Sequence, residues 1–319
     1  MKIKEVVLSL LIFLLATTVA FGVGNFTGKW QNSNSALVLS EMVVMDVNSI
    51  EMFVYNDGNF AYDNIATKGK IDGLYFPRGT KKTVIYSAGL WIGAKVDGEI
   101  RLAQAEYSSE FQPGPMVGGT YEPDWADNRY RCYKVNRGDT DANADYAEWP
   151  VADGAPVDEN GDPLILGDQM IWSVYNDANS GKHENESAGT APLGVEVQQT
   201  TFAYARSGAL GNCIFMKFKF INKGSDTLNN TYVSIWSDPD LGDAGDDLVG
   251  CDTFLSLGYC YNSGEDVDYG AAPPAVGFDF FQGPIIPSPG DTAWVSGQAV
   301  PDYRNLPMTS FGKYINGED

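Results

Sequence analysis

Residues 236–253 read WSDPDLGDAGDDLVGCDT. Six carboxylates, Asp238, Asp240, Asp243, Asp246, Asp247 and Asp252, fall within these eighteen residues, with no lysine or arginine among them. Two carboxylates ~5 Å apart at an effective dielectric of ~20 repel by roughly 3 kcal/mol. That is a large share of a domain's net stability. Gly242, Gly245 and Gly250 let the segment bend tightly. Oxygen ligands on a tight bend suit a hard divalent cation, and Ca²⁺ takes about 6–8 of them in flexible geometry. The expectation is a calcium site on these six aspartates. The competing reading is a solvated acidic loop whose charges are screened over about 10 Å.

A weaker candidate is Asp158-Glu159-Asn160-Gly161-Asp162. Its D-x-N-x-D spacing matches the first half of an EF-hand loop. Pro163 stands where that loop needs glycine, and Gln169 where it needs glutamate, with Asp168 just before it. Asp158, Asn160, Asp162 and Asp168 therefore make a partial calcium set, set against an ordinary Asx-rich turn.

Catalytic sets are scarce. His183 is the one histidine and lies in a polar Asn/Ser/Gly/Lys/Glu stretch. A Ser–His or Cys–His pair would need it as base. G-x-S-x-G, H-E-x-x-H and P-loop patterns are missing from the sequence. Catalytic residues and cofactor-binding residues are thus none by motif. Paired carboxylates for sugar cleavage remain open, since an acidic chain offers many pairs. Trp91, Trp125, Trp149, Trp172, Trp236 and Trp294 read as core or loop-pinning residues, with stacking on a sugar as the alternative.

The elements that must carry these residues read as strands. In CIFMKFKFI (213–221), Ile214, Met216, Phe218 and Phe220 alternate with Lys217 and Lys219. That period of two gives one packed and one wet face. Residues 231–236 resume as a strand and deliver the acidic segment. Asp97-Gly98 separates residues 90–96 from 99–107, a hairpin signal because both turn positions need positive φ. Further strands are expected at 51–55, 82–87, 170–175, 194–204, 256–261, 275–281 and 292–295. No helical stripe is sustained. The fold class is therefore all-β, an antiparallel β-sandwich with long ordered loops. Residues 108–168 form one such excursion, holding Trp125, Tyr130, Tyr133 and Trp149.

At the amino terminus, Lys2 and Lys4 precede the apolar run Val6–Ala20, and small residues close it at Ala20-Phe21-Gly22. This is the layout of a secretory signal peptide over residues 1–22. The run is too short for a spanning helix, which needs about 20 residues. No transmembrane segment is expected after cleavage. Residues 23–45 read as a lead-in or edge strand. Residues 46–319 read as one large β-sandwich region, divisible into 46–168 and 169–319. A net charge of −21 makes nucleic acid a poor partner. Cys132, Cys213, Cys251 and Cys260 allow three full pairings in an oxidising compartment. They are equally readable as buried free thiols.

FVYNDG, GLWIGAKVDGEIR, EWPVADGAP, DQMIWSVYND, LGVEVQQTTFAYARSGALGN, the stretch FKFINKGSDTLNNTYVSIWSDPDLGDAGDDLVGCDT and LPMTSF follow one another between Phe53 and Phe311. Together they resemble the amino-terminal region of long secreted surface proteins of Bacteroidetes-like bacteria. Such proteins often continue into further β modules and a carboxy-terminal sorting domain for type IX secretion. The resemblance implies export and a surface location, and no particular reaction. Set beside such proteins, the chain is expected to be truncated at its carboxy terminus or else to be attached by a different route. The Asp238–Asp252 stretch matches it closely. The Asp158 loop is shorter in aspartate and glycine than the resemblance implies.

The expected function is that of an exported structural or adhesive protein of the cell envelope or extracellular space. It would be calcium-stabilised and non-enzymatic, with surface polysaccharide or other envelope proteins as partners. The alternative is a carbohydrate-active protein, either a binding module or a two-carboxylate glycosidase.

Overall fold

Strands and tight turns carry almost all of the described chain. A computed structural model describes residues 5–13 as backbone, and residues 41–184 and 189–313 in full. In chain order the strands are β1 (Glu5–Phe13), β2 (Met42–Met45), β3 (Glu51–Tyr55), β4 (Asn59–Phe60), β5 (Leu74–Tyr75), β6 (Thr83–Val96) and β7 (Glu99–Gln104). Then come β8 (Gln112–Pro113), β9 (Met116–Val117), β10 (Thr120–Tyr121), β11 (Tyr133–Asn136), β12 (Gln169–Asn176), β13 (Val195–Ala203) and β14 (Cys213–Asn222). The last are β15 (Asn229–Pro239), β16 (Asp247–Asp252), β17 (Leu257–Asn262), β18 (Val276–Gln282), β19 (Ile285–Val295) and β20 (Gln298–Asn305).

One sheet runs β11-β12-β13-β14-β1-β18-β17-β16, with β8 added on β12. A second runs β15-β6-β4-β3-β2, with β5 against β3 and β6, and β7 against β6. The hairpins β9–β10 and β19–β20 stand apart from both. The two large sheets share one apolar cluster. Met52, Val54, Leu90 and Ile92 come from the second sheet, and Val197, Ile214, Met216 and Phe218 from the first. This is the expected antiparallel sandwich, and its core joins residues from both sides of position 168.

Local chemistry explains the layers. In β14, Ile214, Met216, Phe218 and Phe220 are buried, while Lys217 and Lys219 are half-buried on the other face. In the β6–β7 hairpin, Asp97 (φ 52°) and Gly98 (φ 93°) both take positive φ, as a type I′ turn demands. The segments expected at 82–87 and 90–96 form one strand, β6. Gly89 allows this, because a Cβ there would fall 2.1 Å from the Ala105 carbonyl oxygen. The lead-in ends as β2, on the edge of the second sheet, while residues 23–40 lie outside the described residues. Of the expected leader, residues 5–13 are the strand β1, and residues 1–4 and 14–22 lie outside the description.

The excursion after β7 folds back on the outer face of the first sheet. There Trp149, Ala155, Tyr133, Trp172 and Met170 make a second apolar cluster. The Trp149 Nε1–H donates to the Pro156 carbonyl at 2.9 Å, so the indole pins its own loop. All four cysteines are free thiols. Cys251 pairs with Gly258 and Cys260 with Val249, which sets the two cysteines diagonally on the β16–β17 ladder. Diagonal neighbours are roughly 7–8 Å apart, beyond the ~4 Å Cβ separation of a disulfide.

Candidate functional site: the acidic edge

The end of β15 and the turn into β16 carry the acidic segment along the rim of β6. Asp238 pairs with Ser87, and its Oδ2 accepts from the Tyr107 hydroxyl at 2.8 Å. Beyond Pro239, the Asp240 N–H donates to Val84 O (3.2 Å) and the Gly242 N–H to Thr83 O (3.1 Å). These bonds hold the turn against β6. Asp243 Oδ1 accepts from the Gly245 N–H at 3.0 Å and caps the short 3₁₀ turn Ala244–Asp246. Asp247 opens β16, with Oδ2 accepting from the Leu241 N–H (2.9 Å) and Oδ1 from Asn262 Nδ2 (3.0 Å). The same amide donates to Asp246 Oδ1. Asp252 Oδ1 accepts from the N–H groups of Phe254 (2.9 Å) and Leu255 (3.0 Å), turning the chain into β17.

Two carboxylates missed by sequence reasoning organise this edge. Asp266 is buried; its Oδ2 accepts from the Asp243 N–H at 2.9 Å and its Oδ1 from the Asp268 N–H at 2.8 Å. Gly242 (φ 81°) passes so close that a Cβ would fall 2.3 Å from Asp266 Oδ1. An Asx turn was legible at Asp266, but its partner 23 residues away was not. Asp72 accepts from the Thr83 hydroxyl at 2.7 Å and lies 3.8 Å from Lys70 Nζ.

The charges act on one another. Burial pushes the Asp240 carboxyl up to about 7, helped by Asp238, Asp72 and Asp247 and opposed by Lys70. Burial also pushes Asp247 up to about 7; the Leu241 N–H pulls it back, while Asp246 and Asp266 push further. Asp238 is raised by burial and partly restored by its Tyr107 hydrogen bond. Yet among the described residues no three carboxylate, thiol or imidazole groups converge so as to hold a metal ion. Asp243, Asp246, Asp247 and Asp252 spend oxygens on nearby backbone N–H groups or on the Asn262 amide of β17. The six aspartates share a field without meeting at one point.

The weaker set divides. Asp158 Oδ1 accepts from the N–H groups of Asn160 (2.8 Å) and Asp162 (3.1 Å), which closes an Asx turn. These donors hold its carboxyl below the usual range. Asp168 faces other partners: Arg137 Nε at 2.8 Å and the Ala205 N–H at 2.9 Å.

His183 is buried, not solvent-facing as its polar surroundings in sequence suggest. Its Nδ1 lies 3.0 Å from Leu102 O and its Nε2 2.7 Å from Asp177 O. Both partners are acceptors, so whichever ring nitrogen carries a proton has a carbonyl to receive it. Carboxylates of Glu110 and Asp177 stand 3.9 and 3.8 Å away. Burial raises the Asp177 carboxyl, and the backbone N–H groups of Val195 and Leu193 pull it back.

The tryptophans take different places. Trp172 and Trp149 are core, Trp236 is half-buried and Trp294 is 56 % exposed. Trp236 belongs to a chain of rings beside Asp238. Tyr107 meets it edge-on at 5.0 Å, Tyr86 meets Tyr107 at 5.8 Å, and Tyr62 lies 6.1 Å from Tyr86. Tyr107 is 40 % exposed, so this aromatic row reaches solvent next to the acidic edge.

No family model matches the chain, and neither a curated protein nor a solved structure matches it. Among the described residues, no helix is long and apolar enough to cross a membrane.

Proposed function

We propose that this chain is an exported, non-enzymatic β-sandwich that serves as a structural or adhesive module of the cell envelope or extracellular space. The observation that carries the reading is the engagement of its one histidine. Both ring nitrogens of His183 are held against backbone carbonyls inside the fold, which makes the residue a cross-strand fastening and a poor proton shuttle. The leader-like residues 1–22, and the resemblance to amino-terminal regions of long secreted surface proteins, support export. The purified chain is expected to turn over no polysaccharide or peptide substrate. Hydrolysis that survives in His183→Gln but vanishes in Asp240→Asn would replace this reading with a two-carboxylate enzyme.

Calcium enters the proposal on charge grounds. Burial raises both Asp240 and Asp247 to about 7, with Asp238 and Asp72 adding repulsion at Asp240, and Asp246 and Asp266 at Asp247. A divalent cation would offset that repulsion, although the hydrogen bonds that these aspartates already accept leave few oxygens for a full Ca²⁺ shell. Asp240, whose carboxylate makes no hydrogen bond among the described residues, is the first ligand in this proposal. Calcium at 100 times its dissociation constant is expected to stabilise the fold by ~2.7 kcal/mol. A melting curve indifferent to calcium and to chelator would remove calcium and leave the structural reading intact.

A second reading, polysaccharide binding, is favoured by the Tyr62–Tyr86–Tyr107–Trp236 row beside Asp238. Rings of this kind stack on sugar faces while carboxylates accept from hydroxyls.

A further inference from the structure

We infer that the mature sandwich accepts a strand from another polypeptide in the slot between β14 and β18. The inference rests on the export reading, because the slot opens only when the leader is removed. β1 lies in the middle of the first sheet. It pairs antiparallel with β14 from Glu5↔Ile221 to Phe13↔Cys213, and with β18 from Ser9↔Gln282 to Phe13↔Gly277. β14 and β18 do not pair with each other. Strands two places apart are about 9.5 Å apart, too far for a direct ladder and wide enough for one strand. Removing residues 1–22 would leave both inner edges with unpaired N–H and C=O groups, which a sheet interior tolerates poorly.

The walls of the slot define its occupant. Ile214, Met216, Phe218 and Phe220 face the core. Residues directly opposite in an antiparallel pair share a face, so the incoming strand needs apolar side chains at every second position. Its other positions lie opposite Lys217 and Lys219. Burial and the Lys219 charge hold the Lys217 ammonium below its usual range, so a carboxylate opposite it is favoured. The partner is an extended segment of about nine residues, alternately apolar and polar, with acidic residues on the polar face. Recognition is by strand addition.

Residues 23–40 do not fit this description. Glu41 lies beside Cys132 at the head of β11, where its Oε2 accepts from the Cys132 N–H at 2.8 Å. That is four strands from the slot, about 19 Å. The apolar run Ala36–Leu39 is at most five residues from Glu41, a reach of no more than ~18 Å for its first residue alone. Residues 23–31 (VGNFTGKWQ) have enough tether, but their alternation sets Phe26 and Trp30 with Gly24 and Gly28 on one face, leaving half of its positions without a side chain, and puts Lys29 and no carboxylate on the other.

The experiment uses the protein secreted from the full-length gene sequence. Intact mass first establishes whether residues 5–13 are gone; their retention defeats the export reading and the slot together. With cleaved protein, backbone hydrogen exchange is followed at β14 and β18. The probe is a peptide of residues 5–13 carrying Val7→Glu and Ser9→Glu, with a shuffled peptide of the same composition as control. At 100 times its dissociation constant, the probe is expected to slow exchange of the slot-facing amides about 100-fold, while the shuffled peptide has no effect. Lys217→Glu in the protein is expected to weaken probe binding about fivefold. Three outcomes on cleaved protein overturn the inference and leave export standing. They are slot amides already protected in a monomer, which means closure by the chain itself, protection that appears only with dimerisation, and equal protection by the shuffled peptide.

Discussion

The imidazole of His183 lies with Nε2 2.7 Å from the Asp177 carbonyl oxygen and 3.8 Å from Asp177 Oδ2. The Asp177 carboxylate in turn accepts from the Leu193 N–H (2.5 Å) and the Val195 N–H (2.7 Å). Through the contact of Nδ1 with Leu102, this pair ties the exit of β12 to β7 in the other sheet and to the entry of β13. Removing the ring would take its contacts away from the carbonyl oxygens of Leu102 and Asp177 and open a buried gap between the sheets. His183→Ala is expected to lose about 2–3 kcal/mol, read as a lower denaturant midpoint with the slope m unchanged. A loss under about 1 kcal/mol would mean that the histidine is incidental.

The acidic edge gives a pH-dependent prediction. Asp240 and Asp247 each have a folded value of about 7, above the ~3.9 of an unfolded aspartate. Between pH ~4 and ~7 the folded chain therefore holds more protons than the unfolded one. Their contribution is fully favourable below pH ~4 and is lost as pH rises toward ~7. Other carboxylates run the opposite way: Asp46 and Asp139 lie below their ordinary range and favour the fold as pH rises. The clean observable is thus a difference between proteins. Without divalent cations, Asp240→Asn is expected to be more stable than the parent at pH 7.5 by about 1–2 kcal/mol and near parity at pH 4.5. Parity at both pH values would show that the edge is well solvated.

Sequence pattern alone locates the frame and not the fastenings. Alternation in residues 213–221 and positive φ at Asp97-Gly98 are local rules, and β14 and the β6–β7 hairpin follow them. The aspartates of 238–252 are legible as an acidic bend, but their partners are distant. Tyr107, Asp72, Asn262 and Asp266 reach the bend from other elements. His183 sits in a polar stretch, yet its acceptors on β7 and after β12 draw it inside. Segments 82–87 and 90–96 merge because Gly89 serves a close backbone approach rather than a turn. In each case the deciding contact lies across the sheets, where spacing along the chain carries no signal.

Asp266 supports a third prediction. Its carboxylate accepts backbone N–H groups from Asp243 and Asp268, and it packs under Gly242. Asp266→Ala would leave buried donors unmet and free the turn. The expected cost is about 2–3 kcal/mol. Gly242→Ala should cost at least as much, since it combines a φ of 81° with a clash at the Asp266 oxygen. Fast hydrogen exchange confined to residues 240–247 and 266–270 would be the signature in both variants. Unchanged exchange there would show that Asp266 does not hold the bend.

The aromatic row separates adhesion to sugars from purely structural roles. Tyr107 is fixed by Trp236 on one side and by its hydrogen bond to Asp238 on the other. Tyr107→Phe deletes the hydrogen bond and keeps the ring, whereas Tyr107→Ala deletes both. If polysaccharide stacks on this row, Tyr107→Ala should weaken retention on the bound polymer about tenfold or more, by the ~1.5 kcal/mol that an aromatic contact supplies. Tyr107→Phe should remain within about threefold of the parent. Equal retention of parent and Tyr107→Ala across a polysaccharide panel would leave the row a packing feature and remove the second reading.

The excursion between β11 and β12 tests whether the long loop is integral to the fold. Trp149 packs edge-on against Tyr133 at 6.0 Å and meets Trp172 at 6.2 Å, on the face of the first sheet opposite the main core. Its Nε1–H fixes the Pro156 carbonyl. Trp149→Ala therefore removes the plug of the second cluster without touching Phe218, Ile214 or Leu90 of the first. A large-to-small change at a buried tryptophan costs about 3–5 kcal/mol when the loss is global. Here the loss is expected to be local, since the two clusters lie on opposite faces of one sheet. Limited proteolysis should then cut residues 143–166 first, while β14 amides keep their slow exchange. Global unfolding of Trp149→Ala, with β14 and the excursion losing protection together, would instead make the two clusters one cooperative unit.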